Sequence, residues 1–97
     1  MPTYVTLMNW TDEGAKTAKE TVSRSERSIE LAQKLGGKVL SVYWTQGAYD
    51  IVSVGEFPDE DTAQAFLLQL ASAGTLRTQT LRAFTADDMR RIIGKLG

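Results

Sequence analysis

The sequence predicts an α+β fold, a ferredoxin-like βαββαβ order with an additional C-terminal helix. Three observations support this prediction. Strand-like and helix-like patterns follow one another in that order, glycine or proline separates most of them, and no segment repeats. A chain of 97 residues is the size of one domain, so we expect a single unit over residues 1–97. In such a fold two helices cover one face of a four-stranded sheet and leave the other open.

The first strand is predicted over Thr3–Asn9, where side chains of different character alternate. One face of this strand carries Val5 and Leu7, and the other carries Tyr4, Thr6 and Met8. Strict alternation over this length is typical of a strand whose two faces meet different environments.

A main helix is predicted to follow the first strand and to end near Leu35. Thr11 is placed to cap a short first turn, which Gly14 weakens. Small and aliphatic side chains recur beyond it at helical spacing, and Gly36-Gly37 supplies the stop. The residues on this predicted inward face are Ala15, Ala18, Val22, Ile29 and Ala32.

A hairpin is predicted from Lys38–Trp44 and Ala48–Phe57, joined by Thr45-Gln46-Gly47. These three residues suit a turn that ends on a glycine with positive φ. The resulting register places one set of mostly apolar side chains under the helices, namely Leu40, Val42, Trp44, Val52 and Val54. A two-residue loop would exchange the two faces, so both registers stay open at this point.

In the preferred register, the uncovered sheet face carries aromatic, aliphatic and hydroxyl side chains together. These are Tyr4, Thr6, Met8, Ser41, Tyr43, Tyr49, Ile51 and Ser53. A patch of that size on a monomer indicates an association site. We therefore expect a homodimer whose sheets pair face to face around a semi-polar cavity, with Ile51 buried in the interface.

The C-terminal half is predicted to contain a helix, a strand and a last helix. Asp59 caps the first of these helices after Pro58, and Gly74 ends it. The strand covers Thr75–Phe84, and Thr85–Asp88 fits a capping box. The last helix has an apolar stripe that we expect to dock on its own domain, formed by Met89, Ile92, Ile93 and Leu96.

Composition excludes several classes of function. A net charge of −1 gives no basic face for nucleic acid, and no apolar run reaches the length of a membrane span. The chain has no histidine and no cysteine, which removes the usual nucleophilic triads and the ordinary zinc or copper ligands. We expect no metal and no cofactor. The N-terminus lacks the pattern of a signal peptide, so a cytoplasmic location is expected.

The aromatic tract from Tyr43 to Asp50 indicates the candidate binding region. Tyr43 and Tyr49 are predicted to line a cavity, with Trp10 at its rim. One arginine of the fourth strand, Arg82 or Arg77, would hold an anionic ligand there; the alternative is an ion pair with Asp59–Asp61.

Two further residues of this tract have predicted structural roles. Gly47 provides the turn conformation. Asp50, whose side chain points away from that of Tyr49, is expected to accept hydrogen bonds from backbone N–H groups near the turn or to pair with an arginine.

The tract Gly47-Ala48-Tyr49-Asp50 resembles the Gly-x-Tyr-Asp signature of the GYD-domain family. The similarity continues in Tyr4–Thr11 and in Arg77–Phe84, so it covers essentially the whole chain. The resemblance implies a dimeric α+β barrel. It brings no reaction, because the family has no settled activity.

Two functional hypotheses follow. The first is a small-molecule binding or accessory domain that acts as a homodimer and holds a small apolar or aromatic ligand. The second is a cofactor-independent enzyme, similar to monooxygenases or isomerases built on dimeric α+β barrels, in which Tyr43, Tyr49 and an arginine orient the substrate. Fold analogy alone supports the second hypothesis, so it ranks below the first.

Overall fold

The computed structural model describes residues 1–97, and its elements follow the predicted order. The strands are β1 (Thr3–Trp10), β2 (Lys38–Trp44), β3 (Ile51–Glu56) and β4 (Leu76–Ala83). The helices are α1 (Asp12–Lys16), α2 (Thr21–Lys34), α3 (Glu60–Ser72) and α4 (Ala86–Ile93). The strands form one antiparallel sheet in the order β2-β3-β1-β4. This is the ferredoxin-like arrangement, and the predicted fold class is confirmed.

The predicted main helix is interrupted by a 3₁₀ turn, Ala18–Glu20, between α1 and α2. The Thr17 carbonyl accepts the N–H of Glu20 and also a guanidinium N–H of Arg24. Because this carbonyl bonds the N–H three residues on, and not the one four residues on as in an α-helix, the chain tightens into a 3₁₀ turn and changes direction. As a result, Ala15 and Val22 are exposed instead of lying on one buried stripe.

The core lies between the sheet and helices α2 and α3. Phe57 links the two layers, because its ring centroid lies 6.2 Å from that of Tyr4 and 5.1 Å from that of Phe66. Ala32 of α2 has no exposed surface. The other core members are Ala63 and Leu70 of α3.

The hairpin register differs from the preferred prediction. Trp44 pairs with Ile51, so the connection runs over six residues, 45–50, and not three. The extra length is held by the neighbouring strand, since the Asp50 N–H donates to the Met8 carbonyl at 2.9 Å. A bulge between Val39 and Ser41 also shifts the alternation of β2. Together these features reverse the faces expected for β3.

The two sheet faces therefore carry other residues than expected. Tyr4, Thr6 and Met8 are buried under the helices and pair across the sheet with Gly55, Ser53 and Ile51. Ile51 is only 5% exposed, so its predicted place on the open face was wrong. The open face instead carries an aliphatic stripe, formed by Val5, Leu7, Val52, Val54 and Leu81.

Helix α4 has the predicted capping box, in which Thr85 and Asp88 exchange side-chain and backbone hydrogen bonds. It does not dock on its own domain as predicted, because none of its residues is buried, and both Ile93 and Leu96, which follows the helix, are exposed. The radius of gyration is 14.6 Å, against about 12.5 Å for a compact chain of this length. The C-terminal segment accordingly projects from the body of the molecule. None of the helices combines the length and apolar character needed to cross a membrane.

Candidate ligand-binding cavity

A cavity of about 260 Å³ lies between the helix-covered face of the sheet and helices α2 and α3. On the sheet side it follows β1 from Tyr4 to Trp10 and includes Ile51 of β3. On the helix side it meets Ile29 and Leu70. The cavity predicted from the sequence lay on the opposite face, between the sheet and a partner.

The cavity exists because α2 lacks large apolar side chains where it crosses the sheet. The first two turns of this helix direct short or charged side chains toward the strands, namely Thr21, Arg24, Ser25 and Ser28. Opposite them, Ser53 and Gly55 add little volume from β3. The core is therefore well filled only beyond Ser28, where Leu31 and Ala32 contribute to it.

Two buried polar atoms that belong to this lining have no hydrogen-bond partner. They are the hydroxyl of Tyr4 and the indole N–H of Trp10. Tyr4 is only 8% exposed. Buried polar groups in folded proteins nearly always have a partner, so the wall holds two unsatisfied donors that a small side-chain movement would present to a bound molecule.

Arg24 is the charged group most firmly placed in the cavity wall, with a side chain 17% exposed. Its Nη1 donates to the Thr17 carbonyl at 3.1 Å and to the Thr17 hydroxyl at 2.7 Å, and its Nη2 reaches the Gly14 carbonyl at 3.4 Å. A guanidinium has five N–H donors, so two remain free. The other charged residue of the lining is Arg27, and no carboxylate lines the cavity.

The Gly-x-Tyr-Asp tract connects the β2–β3 loop to the end of β1 and to the middle of β4. Gly47 has φ +111°, the positive value predicted for it. The Tyr49 hydroxyl donates to Oε1 of Gln79 at 2.8 Å. The Asp50 carboxylate accepts the backbone N–H of Trp10 at 2.9 Å. These contacts place the tract in a scaffolding position next to the cavity, since Trp10 belongs to both.

The structure does not bring the four candidate binding residues together. Trp10 lines the cavity. Tyr43 is 66% exposed and pairs with Val52 on the open face, and Tyr49 bonds a residue of that same face.

Arg82, the remaining candidate, lies outside the cavity lining. Its guanidinium carbon lies 5.6 Å from the ring centroid of Tyr4 and 4.6 Å from that of Phe84. It donates to the Thr3 carbonyl at 3.1 Å and forms no ion pair with Asp59–Asp61.

Sequence reasoning missed Tyr4 and Arg24 as site residues. Tyr4 was assigned to the wrong sheet face through the hairpin register. For Arg24 a signal was present: Thr21, Arg24, Ser25 and Ser28 share one helical face with the core residue Ala32. Polar residues in line with the apolar stripe of a helix face the same neighbouring layer as that stripe, so they can form the wall of a cavity.

Comparison with known proteins gives the family. The GYD domain family model matches residues 4–93. The chain belongs to the GYD domain family. Over 90 residues it is 38% identical to the glutamine synthetase and cystathionine beta-lyase binding protein of Thermus thermophilus, covering 92% of this chain and 95% of that protein.

A solved structure supports the fold of this GYD-domain protein. It is similar to the crystal structure of TTHA0845 from Thermus thermophilus, with a TM-score of 0.56 and 27% sequence identity. The match covers 89% of this chain and 96% of the other. The family model confirms, at the level of the family, the resemblance noted from the Gly-x-Tyr-Asp signature.

Proposed function

We propose that this GYD-domain protein is a small-molecule binding accessory protein that acts as a homodimer. The observation that carries the proposal is the cavity in which the Tyr4 hydroxyl and the Trp10 indole N–H are buried without partners. Leaving such a group unsatisfied costs about 1–3 kcal/mol. A ligand with suitably placed acceptors recovers that cost, which favours binding at this place over any other on the molecule.

The binding role ranks above the cofactor-independent enzyme. That alternative relied on Tyr43, Tyr49 and an arginine to orient a substrate in one cavity. The two tyrosines belong to the open face, whereas the cavity lies on the other side of the sheet. The polar groups that line the cavity are hydroxyls, an indole, guanidinium groups and the amide of Gln69, most of which can donate to acceptor atoms.

Native mass spectrometry of protein purified from its own host tests the binding role. We expect the parent protein to retain a molecule, and the Ser53→Leu variant, which places a larger side chain in the cavity, to lose it. Ser23→Leu is the matched control, because Ser23 is exposed on α2 outside the lining. If parent and Ser53→Leu carry the same adduct, or neither carries one, the cavity is not the binding site.

The homodimer is supported by two uncovered apolar surfaces. One is the open-face stripe on the sheet. The other is the apolar side of α4 and of the residues that follow it, with Ile93 of the helix 55% exposed and Leu96 beyond it 73% exposed. An eight-residue helix is too short to be stable in water without packing, so α4 needs a surface to rest on. A second copy of the chain would cover both the open-face stripe and the apolar side of α4.

A second candidate function is binding to metabolic enzymes. It is favoured by the 38% identical relative, which is named for binding glutamine synthetase and cystathionine beta-lyase. We propose that this chain acts as an accessory protein for enzymes of that kind.

Biolayer interferometry with these two enzymes from the same host would test the second function. Saturable binding to either one is expected. If no binding is detected up to about 100 μM, any affinity would be weaker than that of ordinary transient complexes, and the proposal would be contradicted.

A further inference from the structure

We infer that the cavity takes an elongated, largely apolar carboxylate that carries a neutral oxygen at its far end. Its carboxylate lies at the Trp10 end of β1 and its chain runs toward Tyr4. The inference rests on the proposed binding function and adds the chemical class and the orientation of the ligand.

The length of the cavity indicates an extended ligand. Tyr4 and Trp10 both belong to the lining and lie six residues apart on one face of β1. Their Cα atoms are therefore separated by about 20 Å. A volume of about 260 Å³ distributed along such a path suits one unbranched chain.

The middle of the cavity is lined mainly by apolar side chains, with a few serine hydroxyls among them. Met8 and Ile51 are buried there on the sheet, opposite Ile29 and Leu70. The one hydroxyl of β1 in this stretch, that of Thr6, is already within hydrogen-bond distance of the Thr80 hydroxyl at 3.3 Å. The Ser28 hydroxyl donates to the Arg24 carbonyl at 3.0 Å, so few polar groups are left here, and a charged group in the middle of the ligand would be buried without a counterion.

The Trp10 end offers hydrogen-bond donors and a positive charge. Arg24 lies at this end, as a chain of contacts through Thr75 shows. The Thr75 carbonyl accepts the N–H of Thr11, the neighbour of Trp10, and it also lies against Gly14. The Gly14 carbonyl in turn accepts a hydrogen bond from Arg24. An indole N–H and a guanidinium can only donate. Glu20 approaches Arg24 at 3.7 Å but is 67% exposed, so it leaves the guanidinium charge available to a carboxylate.

The Tyr4 end is aromatic and uncharged. Tyr4 packs edge-on against Phe57, which in turn contacts Phe66, and its hydroxyl has no partner. A phenol can donate one hydrogen bond and accept others. A single neutral oxygen at the far end of the ligand satisfies this group, and a second charge there would be buried without a counterion.

Tryptophan fluorescence gives a direct test. The chain has two tryptophans, and only Trp10 lines the cavity. In the Trp44→Phe variant, Trp10 is the single indole reporter. We expect ω-hydroxydecanoate to change its emission saturably. The neutral analogue decanediol, of the same length, should bind roughly tenfold more weakly, because it lacks the charge-assisted hydrogen bonds.

Substitution of Arg24 distinguishes the carboxylate contact from general apolar binding. Arg24→Gln in the same background should reduce the affinity for ω-hydroxydecanoate to that for decanediol and leave decanediol unchanged. Arg77→Gln is the matched control, since it removes the same charge from an exposed position outside the lining. Should Arg24→Gln fail to fold, Arg24→Lys retains the charge and is expected to keep the preference for the carboxylate.

Equal affinities for the two probes, or an equal loss of both in Arg24→Gln, would overturn the carboxylate assignment and leave cavity binding intact. If neither probe alters Trp10 emission while the host-purified protein carries a molecule, the ligand class is wrong. If neither probe binds and no molecule is carried, the proposed function fails as well.

Discussion

Single residues of the Gly-x-Tyr-Asp tract decide how the β2–β3 connection is fixed. Gly47 supplies the positive φ, Tyr49 bonds Gln79 and Asp50 bonds the backbone of Trp10. The two hydrogen bonds reach different strands, β4 and β1. The signature is therefore explained by scaffolding, and it holds one cavity residue, Trp10, in place through its backbone.

Gly47→Val should destabilise the protein more than Asp50→Asn. A β-branched residue at φ +111° is strained by about 1–3 kcal/mol, whereas asparagine keeps an oxygen that can accept from Trp10. Urea unfolding measures both. Ala48→Val is the control, because Ala48 is exposed and has a negative φ. A Gly47→Val protein as stable as the control would show that the turn conformation is wrong.

Tyr49→Phe should lower stability without affecting ligand binding. The change removes the hydrogen bond to Gln79, worth about 0.5–1.5 kcal/mol, and touches no group of the cavity. Thermal unfolding and a titration with ω-hydroxydecanoate measure the two effects. Weaker binding at unchanged stability would return Tyr49 to the binding site and contradict the placement of the cavity.

Among the elements, those fixed by local signals were predictable from sequence. The caps of α3 and α4 depend on residues three positions apart, and Asp59 and Thr85 make the expected bonds. The hairpin register was not predictable, because β1 holds the six-residue connection through contacts distant in sequence. Asn9 donates to the Ala48 carbonyl, 39 positions away, and the Trp10 N–H donates to the Asp50 carboxylate, 40 positions away. The polar stripe of α2 looks like a solvent-facing surface until the sheet is placed against it.

Helix α4 should lose order at low pH. The backbone N–H of Thr85 and the side chain of Arg91 bond the Asp88 carboxylate and lower its pKa from the ordinary 3.8. Because the pKa of Asp88 is lower in the folded state, its carboxylate stabilises the helix fully above the pKa of the unfolded chain. That stabilisation is lost as the pH falls through the pKa of the folded state. The Cα chemical shifts of α4 should stay constant above about pH 5 and change below about pH 4.

The Asp88→Asn variant should show those low-pH shifts already at neutral pH. Helix α3 provides the internal comparison. The pKa of its capping Asp59 is lowered in the same manner by Thr62, but α3 is anchored in the core through Phe66. Shifts of α4 that stay constant down to pH 2 would contradict the role given to Asp88.

For the molecule as a whole, the open sheet face and the projecting α4 favour assembly. Leu81→Lys places a charge on the open face and should convert the proposed dimer to monomer, as measured by light scattering at micromolar concentration. Leu68→Lys is the control, because Leu68 is similarly exposed but lies on α3. A Leu81→Lys protein with the mass of the parent dimer would remove this interface.

Ile51→Lys does not test assembly. Since Ile51 is buried under the helices, we expect that substitution to unfold the protein.

The central claim is that the ligand-binding cavity lies under the helices, and the two indole groups test it most directly. In a ¹H–¹⁵N correlation spectrum, the Trp10 indole N–H reports on the cavity, whereas that of Trp44 is bonded to the Thr21 hydroxyl at 3.0 Å. On titration with ω-hydroxydecanoate we predict a large, saturable shift of the Trp10 resonance and a much smaller one for Trp44. An unmoved Trp10 resonance, together with shifts of the Tyr43 and Tyr49 amides, would place the ligand on the open face and contradict the account.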